Sequence, residues 1–150
     1  MNHKSHMQIA LDEARAAEAR GEVPIGAVIV DKTGKIIARA GNESRAENDP
    51  TAHAEILAIR RACAVLGVER LIGCDLYVTL EPCNMCATAI SFARIGKLYY
   101  AAQDVKGGAV DNGTRFYHST ICHHMPEVIG GIEEIEASEL LSAFFRAKRD

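Results

Sequence analysis

The segment "DLYVTLEPCNMCATAISFARIGKLYYAA", Asp75 to Ala102, constrains the fold more than any other part of the chain. "DLYVTL" and "KLYYAA" are short runs with β-branched and aromatic residues, each the length of one strand, and "CNMCATAISFAR" between them has the small and apolar residues of a helix. Strand, helix and strand in succession form a βαβ unit, which requires a parallel pair. Upstream, "PIGAVIV" and "KIIARA" are joined by the turn-like "DKTG" and read as an antiparallel hairpin. A chain that needs both kinds of pairing predicts a mixed sheet.

The remaining segments supply helices and loops. Ser5 followed by Gln8 resembles a capping box, and Met7, Ala10, Leu11, Ala14 and Ala17 recur at helical spacing until Gly21, so a first helix is expected over about residues 6 to 20. "GNESRAEND" is a polar loop. Asp49 offers an N-cap and Pro50 suits the first helical position. They predict a second helix through about Leu66, with Ala52, Ile56, Ile59, Cys63 and Leu66 on its apolar face and Gly67 as its stop. Gln103 to Glu127 shows no period and holds three of the six histidines; a loop of that length in a compact domain is usually functional. "EVIGGI" offers a short further strand, and "SELLSAFFRAKR" a closing helix with Leu140, Leu141, Phe144 and Phe145 on its apolar face. No repeat, low-complexity tract or linker interrupts the chain, and 150 residues at 48% hydrophobic composition suit one domain over 1–150.

A charged fraction of 25% and a net charge of -3 provide no broad field toward nucleic acid or an anionic membrane, so any contact with nucleic acid must use local basic patches. The N-terminal "MNHKSHMQIALDEARAAEAR" lacks the apolar run of a signal peptide, and no segment approaches a membrane span, which gives the expectation of a cytoplasmic protein with no membrane partner. Five cysteines, an odd number in such a chain, argue for reduced thiols or a metal rather than a disulfide framework.

Cys83 and Cys86 stand three apart at the expected start of a helix, which puts both thiols on one face where the helix N-terminus favours thiolates. A C-x-x-C alone fits a metal site, a redox pair or two buried thiols. Here Pro82 fixes the helix entry, and the pair directly follows a strand, the place where open α/β sheets carry ligands. His53 is placed similarly, on the first turn of the second helix; alone it would equally be a cap or core histidine. With two cysteines it gives zinc three ligands and leaves the fourth tetrahedral position to water, the pattern of a catalytic zinc. Glu55 lies about 200° around the helix from His53, and the helix dipole alone would explain a first-turn acid. It is also long enough to bend toward a metal off the helix end, where a carboxylate beside activated water performs general acid/base work.

Together "HAE" and "PCNMC" match H-x-E…P-C-x-x-C, the signature of zinc-dependent nucleobase deaminases. The longer strings "EVPIGAVIV", "DPTAHAEI", "LYVTLEPCNMC", "ARIGKLYYAAQD" and "FFRAKR" resemble the bacterial tRNA-specific adenosine deaminases over Glu22 to Arg149, a branch that also contains guanine deaminases. The resemblance implies a cytidine deaminase-like fold of three layers, α/β/α, with a mixed five-stranded sheet. It implies one zinc per chain, on His53, Cys83 and Cys86, and attack of activated water on the amine-bearing carbon. Glu55 would carry protons to a ring nitrogen and to departing ammonia. The implied substrate is the wobble adenosine of a tRNA anticodon stem-loop, converted to inosine.

The resemblance also implies substrate contacts. Asn42 matches a residue that hydrogen-bonds the base, Ala54 offers small size and a backbone group beside it, and Asp104 matches a position that holds the flipped nucleotide's backbone or sugar. His123 or His124 stands where relatives carry an Asn-His pair that contacts RNA. Lys106, Arg115, Arg146, Lys148 and Arg149, backed by Arg94 and Lys97, are the candidate phosphate contacts, and Phe144 joins Lys106 and Arg146 in the expected rim. A homodimer is expected, with the small residues of "CATAISFA" near its interface. Two other readings stay open: a free purine base or nucleoside deaminase, and a non-catalytic zinc-stapled module with Cys122 or a neighbouring histidine as fourth ligand.

Overall fold

The computed structural model describes residues 4–149, without the side chain of Arg149, so the contact expected of Arg149 lies outside the described residues. Its helices are α1 His6–Ala19, α2 Ala54–Leu66, α3 Asn84–Phe92 and α4 Glu134–Arg149. Its strands are β1 Gly26–Val30, β2 Ile36–Gly41, β3 Asp75–Leu80, β4 Lys97–Ala102 and β5 Glu127–Ile129. A single 3-10 turn, Phe116–His118, interrupts the long loop and sends Phe116 and Tyr117 into the core.

The strands form one sheet in the order β2-β1-β3-β4-β5. β1 pairs antiparallel with both β2 and β3, whereas β3, β4 and β5 run parallel. The mixed five-stranded sheet inferred from the resemblance is therefore present. β1 is buried along its whole length because its side chains alternate between two cores: Ala27 and Ile29 face α2 and α3, Val28 and Val30 face α1 and α4. These are the three layers, and they explain why "GAVIV" reads as a continuous apolar run.

α1 lies unusually close to the hairpin. Its buried stripe includes Ala10, Ala14 and Ala17, and the strand positions beneath it are Gly26 and Gly41, which face each other in the β1/β2 register. A Cβ on Gly26 would stand 2.6 Å from Ala14 N, and one on Gly41 would stand 2.7 Å from Glu13 O. Ser5 caps the helix by accepting the Gln8 N–H at 3.1 Å. The reciprocal half of a capping box is absent among the described residues, because the Gln8 side chain reaches Glu136 instead.

Two helix starts differ from expectation. α2 begins at Ala54, not at Pro50, and Asp49 does not cap it: its carboxylate accepts from Thr51 N and Oγ1, closing a local turn. The buried face is also shifted, to Ala54, Leu57, Ala58 and Ala62, with Leu66 42% exposed. Alanines permit a closer approach to the sheet than the bulky stripe read from the sequence. α4 begins at Glu134 rather than Ser138, with Glu134 and Glu136 favourably placed in its first turn. Ala137 and Leu141 are its buried positions, and Phe145 is 45% exposed.

Gly26→Ala should cost about 1–3 kcal/mol or more, because the new methyl must displace α1. Gly96→Ala, whose Cβ would meet nothing closer than 3.4 Å, should cost less. Urea unfolding of the two variants measures the difference.

Candidate active site

The parallel strands β3 and β4 end at the same edge of the sheet, and the chemistry collects there. β3 leads through Glu81 and Pro82 to Cys83, the N-cap of α3, and Cys86 follows within its first turn. His53 is the N-cap of α2. Neither His53 nor Cys83 spends its side chain on capping its own helix. At α2 the first helical N–H, that of Ala54, is taken by Asn42 Oδ1 at 2.8 Å, a cap supplied from the end of β2. The imidazole remains available for another partner.

That partner is the cysteine pair. His53 Nδ1 lies 3.5 Å from Cys86 Sγ and 3.7 Å from Cys83 Sγ, and all three ligand atoms lie within 4.8 Å of one another. Zinc with N and S ligands at roughly 2.0–2.3 Å and tetrahedral angles places ligand atoms roughly 3.5–3.8 Å apart, so the trio fits zinc in element and spacing. The thiols already differ: Cys83 is pulled down to about 4, first by the hydrogen bond from Cys86 and then by that from His53, while Cys86 is pushed up by the same pairing and by burial. His53, Cys83 and Cys86 would hold a zinc ion, whose charge would keep both cysteines as thiolates.

Glu55 is 4% exposed. Burial pushes its carboxyl up to about 7, and the nearby Cys83 thiolate adds to the effect. It is a buried acid beside the ligand trio, not a solvated first-turn acid.

The residues named in the sequence divide into two groups here. An open cleft of about 860 Å³ reaches His53, and Asn42, Asp104 and Lys106 are among the residues that line it. Asn42 is 5% exposed, and because its Oδ1 accepts from Ala54, its amide NH2 is left to donate. Ala54 is fully buried beside Asn42, with its N–H donated to Asn42 Oδ1. Phe144, Arg146 and His123 are not part of this wall.

α4 contributes Lys148, one of the candidate phosphate contacts, together with Ser138, Leu141, Ser142 and Phe145. The signal for these was helical phase. Positions 138, 141, 142, 145 and 148 share one face, whereas 144 and 146 are about 200° apart and cannot both line one cleft. Val23, Ile25 and Leu80 complete the apolar part of the wall and were not anticipated.

Cys122 and the adjacent histidines are employed elsewhere. Cys122 Sγ donates to His124 O at 3.2 Å, His124 Nε2 meets Ile95 O at 2.8 Å, and His123 is exposed. Among the described residues, His53, Cys83 and Cys86 are the one group with metal-binding geometry, so the zinc-stapled module with a fourth protein ligand lacks its ligand. A second concavity, about 520 Å³ at the start of α4, is lined by Glu133, Glu134, Glu136 and Glu139 and would repel a phosphate backbone. Metal analysis should find one zinc per chain in the parent protein and well under one equivalent in Cys86→Ala after dialysis.

Residues 1–102 match the family described as the cytidine and deoxycytidylate deaminase zinc-binding region. The chain is 61% identical over 150 residues to a tRNA-specific adenosine deaminase of Agrobacterium fabrum, covering 99% of this chain and 98% of the relative. A solved structure from work on A-to-I editing by tRNA:A34 deaminases superposes with a TM-score of 0.89 at 62% identity, over 91% of this chain and 98% of the other. A guanine deaminase of Bacillus subtilis is more distant, with a TM-score of 0.64 at 34% identity, over 100% and 96% of the two chains. Motif, metal geometry and matched length agree: the chain belongs to the zinc-binding cytidine and deoxycytidylate deaminase family and, within it, to the branch of the tRNA-specific adenosine deaminases.

Proposed function

We propose that this protein hydrolyses the wobble adenosine of a tRNA anticodon to inosine, in the cytoplasm, as one domain spanning 1–150. The observation that carries the reading is a zinc-competent trio and a buried acid beside a cleft that is open and has lysines, Lys106 and Lys148, in its wall. A free-base enzyme needs a small closed pocket, whereas an extruded nucleotide needs an entrance that leaves its neighbours outside.

The reaction adds water across the base and releases ammonia. A C–O bond forms at the amine-bearing carbon and the C–N bond breaks. Zinc, when bound to His53, Cys83 and Cys86, supplies the Lewis acidity that makes water a nucleophile near neutral pH. Glu55 takes the two protons of the attacking water in turn, delivering the first, released as the C–O bond forms, to a ring nitrogen and the second, from the resulting hydroxyl, to the departing amine. The Asn42 NH2 donates to an acceptor on the base and fixes its orientation. Asp104 and Lys106 on one wall, and Phe145 and Lys148 on the other, meet the sugar, phosphates and flanking bases.

Glu55→Ala should fold and keep zinc, yet lose deamination by more than the ~100–10,000-fold usual for one acid/base group, because it serves more than one proton transfer. Loss of zinc along with activity would make it a structural residue instead. Substrate choice is tested by incubating the protein in parallel with an anticodon stem-loop bearing a wobble adenosine and with free guanine, adenine and their nucleosides. Inosine in the RNA with little purine turnover is expected; rapid guanine turnover with inert RNA overturns the substrate while leaving the zinc chemistry. Lys148→Ala should weaken RNA binding and reduce the salt slope by about one phosphate, more than Arg146→Ala does.

The reading includes a homodimer. Of the small residues in "CATAISFA", Ala87 and Ala93 are taken by the protein's own core. Support comes from Phe92, Ile121 and Met125, each 60–69% exposed on segments joined by the bond between Ser91 Oγ and His124 O. Sedimentation at micromolar concentration should show twice the 16.3 kDa chain mass, and a purely monomeric species would refute it.

A further inference from the structure

The hydrolytic scheme uses one buried glutamate, yet a second lies at the same edge of the sheet. Glu81, between β3 and Pro82, is 2% exposed. Its carboxylate accepts five N–H donors: Oε1 from Asp104 N at 3.0 Å and Asn112 Nδ2 at 2.6 Å, Oε2 from Val110 N, Asp111 N and Asn112 N at 3.1, 2.9 and 3.0 Å. Four are backbone amides of a single loop, residues 104–112. No salt bridge reaches Glu81 among the described residues, so oriented amides alone compensate its charge.

The loop closes on this carboxylate from the other side as well. Ala109 N donates to Pro82 O at 2.9 Å, and Gly108 passes so near that a Cβ there would stand 2.5 Å from both Glu81 Cδ and Asp104 O. Within the loop, Asp104 Oδ1 accepts the Gly107 N–H at 2.9 Å and closes the turn that presents Lys106. The clamped loop thus begins with two of the cleft's polar side chains, Asp104 and Lys106, while its anchor sits two residues before a metal ligand, Cys83.

We propose that Glu81 is a positioning residue for the RNA substrate: its carboxylate fixes the 104–112 loop to the turn that carries Cys83, and so sets the distance of Asp104 and Lys106 from the reaction centre. The inference rests on the RNA reading above. Glu81 touches neither ligand trio nor base, so its loss loosens one wall of the cleft without removing a reacting group. Four amides left without their acceptor, in a loop now free to move, raise the entropy that binding must remove.

The test uses full-length, zinc-loaded protein and three variants. Glu81→Gln keeps the shape but turns a donor toward donors; Gly108→Ala breaks the clamp from the loop side; Asn112→Ala removes the side-chain donor and is the mildest. Amide hydrogen exchange without RNA should speed up by on the order of tenfold or more at 104–112 in the first two, with α3 unchanged. KM for the stem-loop should rise by on the order of tenfold, kcat should stay within about threefold, and zinc should remain at one per chain. Asn112→Ala should show the same pattern at smaller amplitude, and it carries the test should the other two fail to fold. Unchanged exchange, or faster exchange with unchanged KM, overturns the inference, as does zinc loss with kcat falling at constant KM. A parent protein inert on the stem-loop removes the RNA reading and this inference with it, whereas an active parent with unaffected variants removes this inference alone.

Discussion

One hydrogen bond decides where the chemistry stands: Asn42 Oδ1 accepting the N–H of Ala54 at 2.8 Å. A helix start leaves amides that need acceptors, and the usual solution is the N-cap side chain. If His53 or Asp49 supplied it, either the imidazole would be consumed or α2 would begin four residues earlier. Taking the cap from the end of β2 starts the helix at Ala54 and leaves His53 extended at its N-cap, φ -75° and ψ 153°. Cys83 has nearly the same backbone, φ -71° and ψ 176°, at the head of α3, again with no side-chain cap. Two helix N-termini, both on one face of the sheet, thus present two ligands whose side chains have no local duty. The same bond commits Asn42 to donate with its NH2, so the geometry of the metal site and the polarity of the base pocket are set together.

Three glutamates are buried near this edge, and their surroundings give them different work. Glu22 accepts from Arg45 N and Ala46 N and holds the loop after β2. Glu81 accepts five donors; burial alone would raise its carboxyl, but the amide of Asp104, the Asn112 side chain and the neighbouring amides outweigh it and hold the group below its ordinary range. Glu55 is buried without such a set and moves the other way, up to about 7. A carboxyl whose donors outweigh burial is fixed as an anion, and one whose burial outweighs its donors, here its own amide and Cys86, is left able to exchange a proton.

Much of this was legible in the sequence, and the parts that were not have a common cause. β4 and β3 have the limits that "KLYYAA" and "DLYVTL" give, because alternation and punctuation are local signals. The mixed pairing followed from chain connectivity. The ligand trio followed from the H-x-E…P-C-x-x-C signature, since residue chemistry alone left the cysteine pair open between a metal site, a redox pair and two buried thiols. The start of α2 was not legible, because Asp49-Pro50 is a sound local cap and only a contact from residue 42 displaces it. Glu81 carried no signal either: its five donors come from 23 to 31 residues away in sequence.

The wall formed by α4 is decided by which of its positions the core takes. Ala137 and Leu141 pack inward, and of the aromatic and basic residues that the sequence offers on this helix, Phe145 and Lys148 face the cleft while Phe144 and Arg146 do not. Phe144 is then left to pack edge-on against Phe145, with Lys148 Nζ 5.5 Å above its ring. That arrangement holds the Lys148 cation from behind, over an aromatic face outside the cleft. The opposite wall, Asp104 and Lys106, is held by a carboxylate rather than by packing. Metal ligands on rigid helix starts, one wall on a helix and one on a clamped loop separate the two demands on such a site: the reacting groups need fixed geometry, and the rim needs a width matched to a nucleotide entering from a longer chain.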